Sequence, residues 1–363
     1  MAADSVGTAD RAATRAPLDL GPAELAETAE GLPAAAHYGE PEAEYRLLSR
    51  GCGLVDRLWV EHLEVTGEDR RRFLNGMVTG DTKALETGEG RFVFFTSAQG
   101  RVLAEARVLA LAESLLLELP AGCAEPIVEH LSRYIVADRV ELAPRPDLRA
   151  LSVVGPGAFT VAARLAVGAS MPGDRWSLLR VEWGGAEVVL AREERLGAAA
   201  ITVHAAGGAA REVALELLRP VDGVAASPVG FAAAEALRVE AGCARFGPDF
   251  GGDRFPQEVG ETDALDFEKG CYLGQEVVAR IHYRGKVNHR LCGLRLGGGE
   301  LPPPGSTVEL DGDDVGRSGS AVYSPSLDEG IALAVLHRKA ECGAAIGVAG
   351  IAAEVVDLPF ATA

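Results

Sequence analysis

The chain has 363 residues, of which 48% are hydrophobic, and carries a formal net charge of −18. This length and apolar content predict two or three folded domains with sizeable cores, and they exclude a chain that is disordered over most of its length. The acidic balance argues against direct, nonspecific binding of nucleic acid, whose phosphates need concentrated positive charge.

The N-terminal segment, residues 1–36, is rich in Ala, Glu and Asp and contains Pro17, Pro22 and Pro33. We expect a flexible acidic tail there, with one short helix at "PAELAETAE". The segment lacks a basic start followed by an apolar run, so it does not predict a signal peptide. No apolar stretch of the chain reaches the ~20 residues that a membrane-spanning helix needs. We therefore expect a soluble, cytoplasmic protein without membrane contact.

Residues 37–146 and 147–240 are predicted to form two α+β units of similar design. The stretch "LWVEHLEVTGEDRRRFLNGM" predicts a strand, a turn at Gly67 and a helix, and "LRALSVVGPGAFTVAARLAV" repeats this pattern with its turn at Gly155, 88 residues later. Each copy continues with three strands and a second amphipathic helix, which is typical of α+β sandwiches. The alternative is a coincidence between two ordinary α+β units.

The C-terminal third is predicted to contain a linker with a helix, followed by a barrel. A helix at "GFAAAEALRVEAGCARF" leads into residues 241–287, which carry the unusual segment "EKGCYLGQEVVARIHYRGK". Residues 288–363 consist of short strand patterns separated by turn residues. That spacing predicts a small antiparallel β-barrel.

Cys271 differs from the other five cysteines in its surroundings. No cysteine lies in a CxxC pair and the spacings match no zinc pattern, so neither a metal site nor a disulfide framework is predicted. Cys271, however, lies two residues after Lys269 and just before a helix that Gly274 and Gln275 begin. Nearby cations and helix N-termini promote thiolate formation. The sequence therefore predicts an accessible, activated thiol; the alternative is a small buried residue beside a glycine turn.

Arg280 and Arg284 lie four residues apart, on one face of the same predicted helix. Two guanidinium groups so placed can bind carboxylates or phosphates. An ordinary solvated helix face, or pairing with the acidic residues upstream, explains them equally well.

The segment "FEKGCYLGQEVVARIHYRGKVNHRL" closely resembles the signature of the YgfZ-type folate-binding proteins, which are relatives of the glycine-cleavage T-protein and include the mitochondrial iron–sulfur assembly factor. "LEVTGEDRRRFLNGMVTGD", "PVGFAAAEALRVEAG" and "AAEVVDLPF" also resemble segments of this family. The resemblance implies a GcvT-like α+β fold, a three-domain cloverleaf of two similar ferredoxin-like units and a C-terminal antiparallel barrel. It also implies a central channel that binds tetrahydrofolate or a derivative.

The same resemblance implies a role in assembling or repairing iron–sulfur clusters of client proteins, including radical enzymes that modify tRNA. The functional cysteine of the family matches Cys271, which would bind iron or sulfur transiently or form a mixed disulfide with a client. The matching supporting positions are Lys269, Gly270, Tyr272, Gly274, Gln275, Glu276 and Arg280. A folate-like molecule and iron–sulfur client proteins are thus the expected partners, with no stable metal, no direct nucleic acid and no membrane.

Two positions depart from the T-protein pattern. Ala104 and Glu105 stand at an acidic pair of T-proteins, and Thr202 stands where their folate-recognising glutamate is expected. A neutral hydroxyl cannot accept paired donors as a carboxylate does, which argues against T-protein-type aminomethyl transfer. Whether the protein is an enzyme stays open. A folate-dependent one-carbon transferase with Glu105 as base, and a scaffold that needs no ligand, are the alternatives.

The resemblance also implies two folate contacts. Arg238, in "LRVEAG", matches an arginine that holds a ligand carboxylate in T-proteins. Trp59 lies one position from an aromatic residue that contacts folate in a YgfZ protein. The alternatives are a helix-surface arginine that packs its aliphatic stem and an ordinary core tryptophan.

Overall fold

A computed structural model describes residues 16–285 and 287–360 of the chain. The N-terminal part contains β1 (Glu24–Glu27), β2 (Pro33–His37), α1 (Pro41–Arg50), β3 (Gly53–Asp56), β4 (Val60–Thr66), α2 (Arg70–Asn75), β5 (Gly90–Thr96), β6 (Val102–Ala110), β7 (Ser114–Pro120), α3 (Ala124–Ser132) and β8 (Glu141–Pro144). The middle part contains β9 (Leu148–Val154), α4 (Ala158–Ala162), β10 (Leu178–Trp183), β11 (Ala186–Glu193), β12 (Ala200–Ala206), α5 (Gly207–Leu217), β13 (Ser227–Val229), α6 (Phe231–Glu240) and α7 (Gln275–Arg284). The C-terminal part contains β14 (His289–Leu296), β15 (Thr307–Leu310), β16 (Asp313–Ser324), β17 (Glu329–His337), β18 (Ala345–Val348) and β19 (Ile351–Val356).

The two predicted α+β units share one sheet topology. The first sheet has the order β5-β6-β7-β4-β8, and the second has β10-β11-β12-β9-β3-β13. The glycines of the repeated pattern occupy equivalent turns after β4 and β9, with φ of +97° at Gly67 and +112° at Gly155. A Cβ at Gly67 would lie 2.1 Å from the Arg139 carbonyl oxygen. Both the left-handed backbone and the close approach therefore require glycine there, and the prediction of two similar α+β units is confirmed.

Two strands depart from the predicted domain boundaries. β3, which lies inside residues 37–146, pairs antiparallel with β9 of the second sheet instead of joining the first sheet. β13 then pairs in parallel with β3. Each strand joins the sheet whose open edge it reaches in space, so residues 37–146 and 147–240 do not form two separate units along the chain.

The N-terminal helix prediction is wrong, because "PAELAETAE" contains strand β1, which pairs antiparallel with β2. The predicted flexible tail over residues 1–36 therefore holds a hairpin in its described part, while residues 1–15 lie outside the described residues. Tertiary contact holds this hairpin in place. Ala34 and Ala35 of β2 are buried, and a Cβ at Gly230, which precedes α6, would lie 2.2 Å from the Ala36 carbonyl oxygen.

The C-terminal strands form a closed barrel with the order β14-β17-β16-β15-β18-β19, as predicted. Closure leaves no free sheet edge. Ile331 and Leu333 on β17 belong to a buried cluster with Phe94 of the first sheet and Phe250 of the following connection. The barrel is thereby packed onto the two-sheet body. Within the described residues, no helix is both long and apolar enough to cross a membrane.

Strand alternation places apolar side chains toward the helices and polar side chains toward the opposite sheet. On β6, Ala104 and Ala106 belong to the core beneath the helices, while Glu105 and Arg107 point the other way. On β12, Ile201 packs under α4 and α5 and Thr202 faces the first sheet. These charged and polar side chains, together with an apolar cluster that joins Leu109 and Leu116 of the first sheet to Leu178 and Val189 of the second, become buried where the two sheets face each other, and this closure creates the candidate site.

Candidate functional site

Residues 266–275, which we call the signature loop, are anchored to the first sheet. Lys269 carries the central anchor, because its Nζ donates to the carbonyl oxygens of Asn75, Val78 and Gly80, each at 2.7 Å. Burial lowers the pKa of Lys269 to about 8, against the opposing effect of nearby carboxylates. The amine is thus still mostly protonated at neutral pH and supplies all three N–H groups.

Backbone and glycine contacts complete the anchoring. The Leu273 N–H donates to the Gly76 carbonyl oxygen at 3.0 Å, and the Thr96 hydroxyl donates to the Leu273 carbonyl oxygen at 2.6 Å. Gly274 caps α7 with φ of +85°, and a Cβ there would lie 2.3 Å from the Ser97 carbonyl oxygen. The start of α7 is therefore seated directly on the turn that follows β5.

The anchored loop leaves the Cys271 side chain exposed. The predicted activation by Lys269 is not supported, because that ammonium has committed its three N–H groups to carbonyl oxygens and has none to donate to the sulfur. Cys271 also precedes the cap residue Gly274 by three positions, outside the first turn of α7. The structure therefore supports a functional role of Cys271 through the exposure of its side chain on an anchored loop.

The remaining signature residues have distinct environments. Tyr272 is buried beneath Lys269, whose Nζ lies 5.0 Å from the ring centroid, and burial raises the pKa of its phenol. The Gln275 N–H donates to the Tyr272 carbonyl oxygen at 3.1 Å. Arg280 pairs with Glu276 at 2.6 Å on the exposed face of α7, which matches the alternative of a solvated helix face.

Neither the backbone conformation nor the packing around position 270 requires a glycine. A Cβ on Gly270 would meet no atom within 4 Å, and the residue does not adopt a positive φ. Gly270 and Cys271 are both exposed, so the surface beside the thiol is open.

A second group of functional side chains surrounds a cavity of about 60 Å³ between the two sheets, which we call the central cavity. Trp59 and Phe92 form aromatic walls. The charged residues of its lining are Arg57, Glu105, Arg107, Glu118, Glu193, Arg195 and Arg245. The alternating charges of "RVLAEARVLA" and the lone glutamate of "SLLLELP" are the signals that could have revealed this cluster from sequence.

Two arginines and two glutamates form a network of buried ion pairs at this cavity. Arg107 Nη1 lies 2.7 Å from Glu193 and 2.9 Å from Glu118, and Arg57 Nη1 lies 3.1 Å from Glu118 and 3.4 Å from Glu193. Burial acts to raise the pKa of both carboxyls, but Arg107 and then Arg57 outweigh it, so both pKa values lie below their usual range. Both glutamates are therefore ionised at neutral pH.

Glu105 behaves differently from these two glutamates. Its nearest cation, Arg195, is 3.5 Å away and is shared with Glu261. Burial therefore dominates and raises the pKa of Glu105 to about 7. A carboxyl with this pKa can gain or lose a proton near neutral pH.

The two residues implied as folate contacts, Trp59 and Arg238, lie in different surroundings. Trp59 is buried, lines the central cavity and packs edge-on against Phe231 with ring centroids 5.1 Å apart. Arg238 has another role, because its N–H groups donate to Glu235, Asp249, the Cys243 carbonyl oxygen and Ser320. These five hydrogen bonds use all five N–H groups of the guanidinium. Arg238 therefore ties α6 to the barrel strand β16 and has no donor left for a ligand.

The hydroxyl of Thr202 likewise has its hydrogen-bond partner within the protein. It is fully buried, and its hydroxyl lies 2.8 Å from the Ser152 hydroxyl. Among residues 16–285 and 287–360, no group of three or more His, Cys, Asp and Glu side chains is placed to hold a metal ion.

Comparison with known proteins gives two domain matches. Residues 25–269 match the GCVT N-terminal domain, and residues 289–361 match the glycine cleavage T-protein C-terminal barrel domain. The two matches together cover both sheets and the barrel, while residues 270–288, which include Cys271 and α7, lie between them.

Individual relatives are distant. A chloroplastic protein of Arabidopsis thaliana, named only provisionally as a transferase, is 27% identical over 74% of this chain and 61% of its own length, less than two thirds of that relative. An aminomethyltransferase of a Parafrankia strain is 27% identical over 84% of each chain. The crystal structure of the glycine cleavage system aminomethyltransferase T from Bartonella henselae superimposes with a TM-score of 0.84 at 22% identity, covering 95% of this chain and 98% of that one. This last likeness shows the fold.

Proposed function

We infer function from one premise: the chain belongs to the glycine-cleavage T-protein (GCVT) family, whose N-terminal and barrel domains it carries. We propose that it is a member of the YgfZ branch, a folate-binding factor that supports assembly or repair of iron–sulfur clusters in client enzymes. Enzymes that modify tRNA through radical chemistry are among the clients that the resemblance implies. Cys271 is its working residue.

The exposed side chain of Cys271 on an anchored loop carries this proposal. Lys269, Leu273 and Gly274 use their polar groups and backbone to hold the loop on the first sheet, while the thiol faces outward. Because the loop is held before any partner arrives, little conformational entropy is lost when the sulfur meets a client. The open surface at Gly270 supports close approach of a partner beside the thiol.

The proposal is tested in a strain that lacks the protein and has lost activity of its iron–sulfur enzymes. We expect Cys271→Ala to fail to restore that activity. Cys342→Ala is the matched control, because Cys342 is also exposed but lies in the barrel domain, and it should restore activity fully. Full restoration by Cys271→Ala would remove the thiol from the mechanism.

The central cavity offers the chemistry that a folate ring requires. Arg57 Nε and Arg107 Nε are buried at this cavity without hydrogen-bond partners and can donate to a ligand, while the carboxylates of Glu118 and Glu193, which pair with these arginines, can accept. The cavity of about 60 Å³ is smaller than the ~300–1,000 Å³ of ligand pockets. A neighbouring pocket of about 470 Å³ shares Arg57 and Val60 with it. We propose that tetrahydrofolate or a derivative spans the two, with Trp59 as one wall.

Calorimetric titration of the purified protein with tetrahydrofolate measures this binding directly. We expect saturable heat and a rise in the melting temperature, because a ligand that binds only the folded state stabilises it. Absence of both signals would favour a ligand-independent scaffold over a folate-binding factor.

The raised pKa of Glu105 supports a second candidate function, folate-dependent one-carbon transfer with Glu105 as the base. Production of methylene-tetrahydrofolate by the wild-type protein, lost in Glu105→Gln, would establish this candidate. We expect no such product, because the Thr202 hydroxyl is hydrogen-bonded to Ser152 and Thr202 has no carboxylate to offer a pterin.

A further inference from the structure

Arg245 is a buried arginine of the central cavity with two guanidinium nitrogens, Nε and Nη2, that have no hydrogen-bond partner. Its side chain is 7% exposed and it lines the cavity. The guanidinium carbon lies 5.5 Å from the Trp59 ring centroid and 5.7 Å from that of Phe231. The two rings hold the guanidinium in one place and shield it from water.

Only one of the three nitrogens of this guanidinium has a hydrogen-bond partner. Arg245 Nη1 donates to Glu235 at 2.9 Å, whereas Nε and Nη2 are buried without hydrogen-bond partners. Nε and Nη2 form the edge of an arginine that presents two parallel N–H donors to a carboxylate. The unpartnered edge is thus the one with the geometry for bidentate carboxylate binding.

A carboxylate is already close to this edge, but it is poorly placed. Glu30 Oε1 lies 3.1 Å from Arg245 Nη2, yet both oxygens of Glu30 are buried without a hydrogen-bond partner. An ion pair at this distance without hydrogen bonds leaves donors and acceptors of both groups unsatisfied. Such a contact is open to exchange for a better-fitting carboxylate.

Glu30 reaches the interior from the tip of the β1–β2 hairpin. The tip is a tight turn in which the Thr28 N–H donates to the Leu32 carbonyl oxygen at 2.8 Å, and Gly31 adopts φ of +73°. Strand β1 is exposed along its length. Withdrawal of the tip therefore costs few buried contacts on β1, and its cost lies at Thr28, which is buried, and at Leu32, which packs against the core.

The lining of the central cavity contains one more arginine than glutamate. Four arginines and three glutamates line the central cavity. Its volume of about 60 Å³ corresponds to about two water molecules of ~30 Å³ each. A carboxylate group with one or two attached carbons fits this space.

We propose that Arg245 is a carboxylate-binding residue of the central cavity and that Glu30, at the hairpin tip, is a built-in partner of Arg245 that the carboxylate of a ligand displaces. The ligand is a small carboxylate or a larger molecule that inserts one. This inference goes beyond the proposed function, since it holds whether or not Cys271 serves iron–sulfur clients.

Chemical rescue of Glu30→Ala tests the proposal, because acetate is the fragment that this substitution removes. The melting temperature is measured against sodium acetate, with sodium chloride at equal ionic strength and acetamide as the neutral analogue. We expect a saturable rise of roughly 2 °C at ten times the Kd in Glu30→Ala. The rise should be absent with acetamide and absent in the double variant Glu30→Ala/Arg245→Gln.

Glu27→Ala is the matched control, because Glu27 belongs to the same hairpin but is exposed, and it should show no response to acetate. A Glu30→Ala protein that responds to acetate no more than to chloride, or as much as the double variant does, overturns the proposal.

If Glu30→Ala fails to fold, Glu30→Gln keeps the shape of the tip and removes only its charge. We then expect acetate to increase amide hydrogen exchange at residues 28–32 at a lower concentration than in the wild type, since the neutral tip is displaced more readily. Identical exchange in Glu30→Gln and wild type across the acetate series would overturn the proposal as well.

Discussion

Lys269 shows how a charged side chain can be an anchor beside a reactive group. The sequence places it two residues from Cys271, and proximity along the chain suggested that its charge acts on the thiol. In the fold its ammonium points into the turn after α2, where three carbonyl oxygens accept its N–H groups. Sequence spacing is therefore a poor guide to side-chain partners, because adjacent side chains can point in different directions.

We expect Lys269→Met to destabilise the signature loop. Methionine matches the aliphatic part of the lysine side chain but offers no donor, so three carbonyl oxygens lose their partner, at a total cost of about 2 kcal/mol in the free energy of unfolding. Urea unfolding measures the change, and amide exchange at residues 75–80 and 266–275 locates it. Lys339→Met is the control, since Lys339 bonds Asp313 at the surface and its loss should cost less than about 0.5 kcal/mol. Equal effects of the two substitutions would contradict the anchoring role.

At the scale of the elements, strand alternation was predictable but its consequence was not. The pattern of β6 and β12 correctly predicts which side chains share a face. A strand face with polar side chains ordinarily indicates contact with solvent. Here the polar side chains of one sheet instead face polar side chains of the other sheet. His62 on β4 and His204 on β12 meet across this interface, with Nε2 of the first 3.0 Å from Nδ1 of the second. Only the packing of the sheets converts two surface-like histidines into a buried pair.

This pair makes stability depend on pH in a defined direction. Burial is the chief cause that lowers the pKa of His62 to about 4 and the pKa of His204 well below its usual range. Unfolded histidine titrates at ~6.5. Below that pH the unfolded chain binds protons that the folded chain does not, so stability is lost as the pH falls from ~6.5 toward the folded pKa.

We expect each buried histidine to lower the free energy of unfolding in urea by about 1.5 kcal/mol between pH 6.5 and pH 5. Glu105 acts in the opposite direction, because its folded pKa of about 7 lets the folded chain bind a proton in this range that the unfolded chain does not bind. His204→Gln should raise the stability at pH 5, relative to that at pH 6.5, by about 1.5 kcal/mol compared with the wild type. His282→Gln, which changes an exposed histidine of α7, should leave the decrease intact. A His204→Gln protein with the pH dependence of the wild type would show that the pair does not control acid stability.

At the scale of the whole molecule, Arg238 joins the sheets to the barrel. It was expected at a ligand, but it lies on α6 and bonds Ser320 of β16 together with Glu235 and Asp249. Asp249 in turn accepts the Ser320 N–H at 2.7 Å. The barrel is thus docked through a buried charge network as well as through the apolar contacts around Phe94 and Leu333.

We expect Arg238→Met to destabilise the protein by about 3–5 kcal/mol, because the buried carboxylate of Asp249 loses its paired cation and Glu235 keeps only Arg245. Urea unfolding measures this loss. Arg280→Met on the exposed face of α7 removes only the surface pair with Glu276 and should change stability by less than about 0.5 kcal/mol. Tight ligand binding lost in Arg238→Met without loss of stability would instead restore Arg238 to the ligand site.

From residue 41 onward the sequence by itself determined most of the succession of helices and strands, the repeated units at Gly67 and Gly155, and the signature around Cys271, because periodicity, turn glycines and motifs are local properties. Tertiary structure alone decided that Glu24–His37 forms a hairpin, that β3 joins the second sheet, and that Arg57, Arg107, Glu118 and Glu193 meet around a cavity. These outcomes depend on which surfaces close on one another. A charged strand face has the same pattern whether it meets water or a second charged face, so its burial is settled only when the two sheets pack.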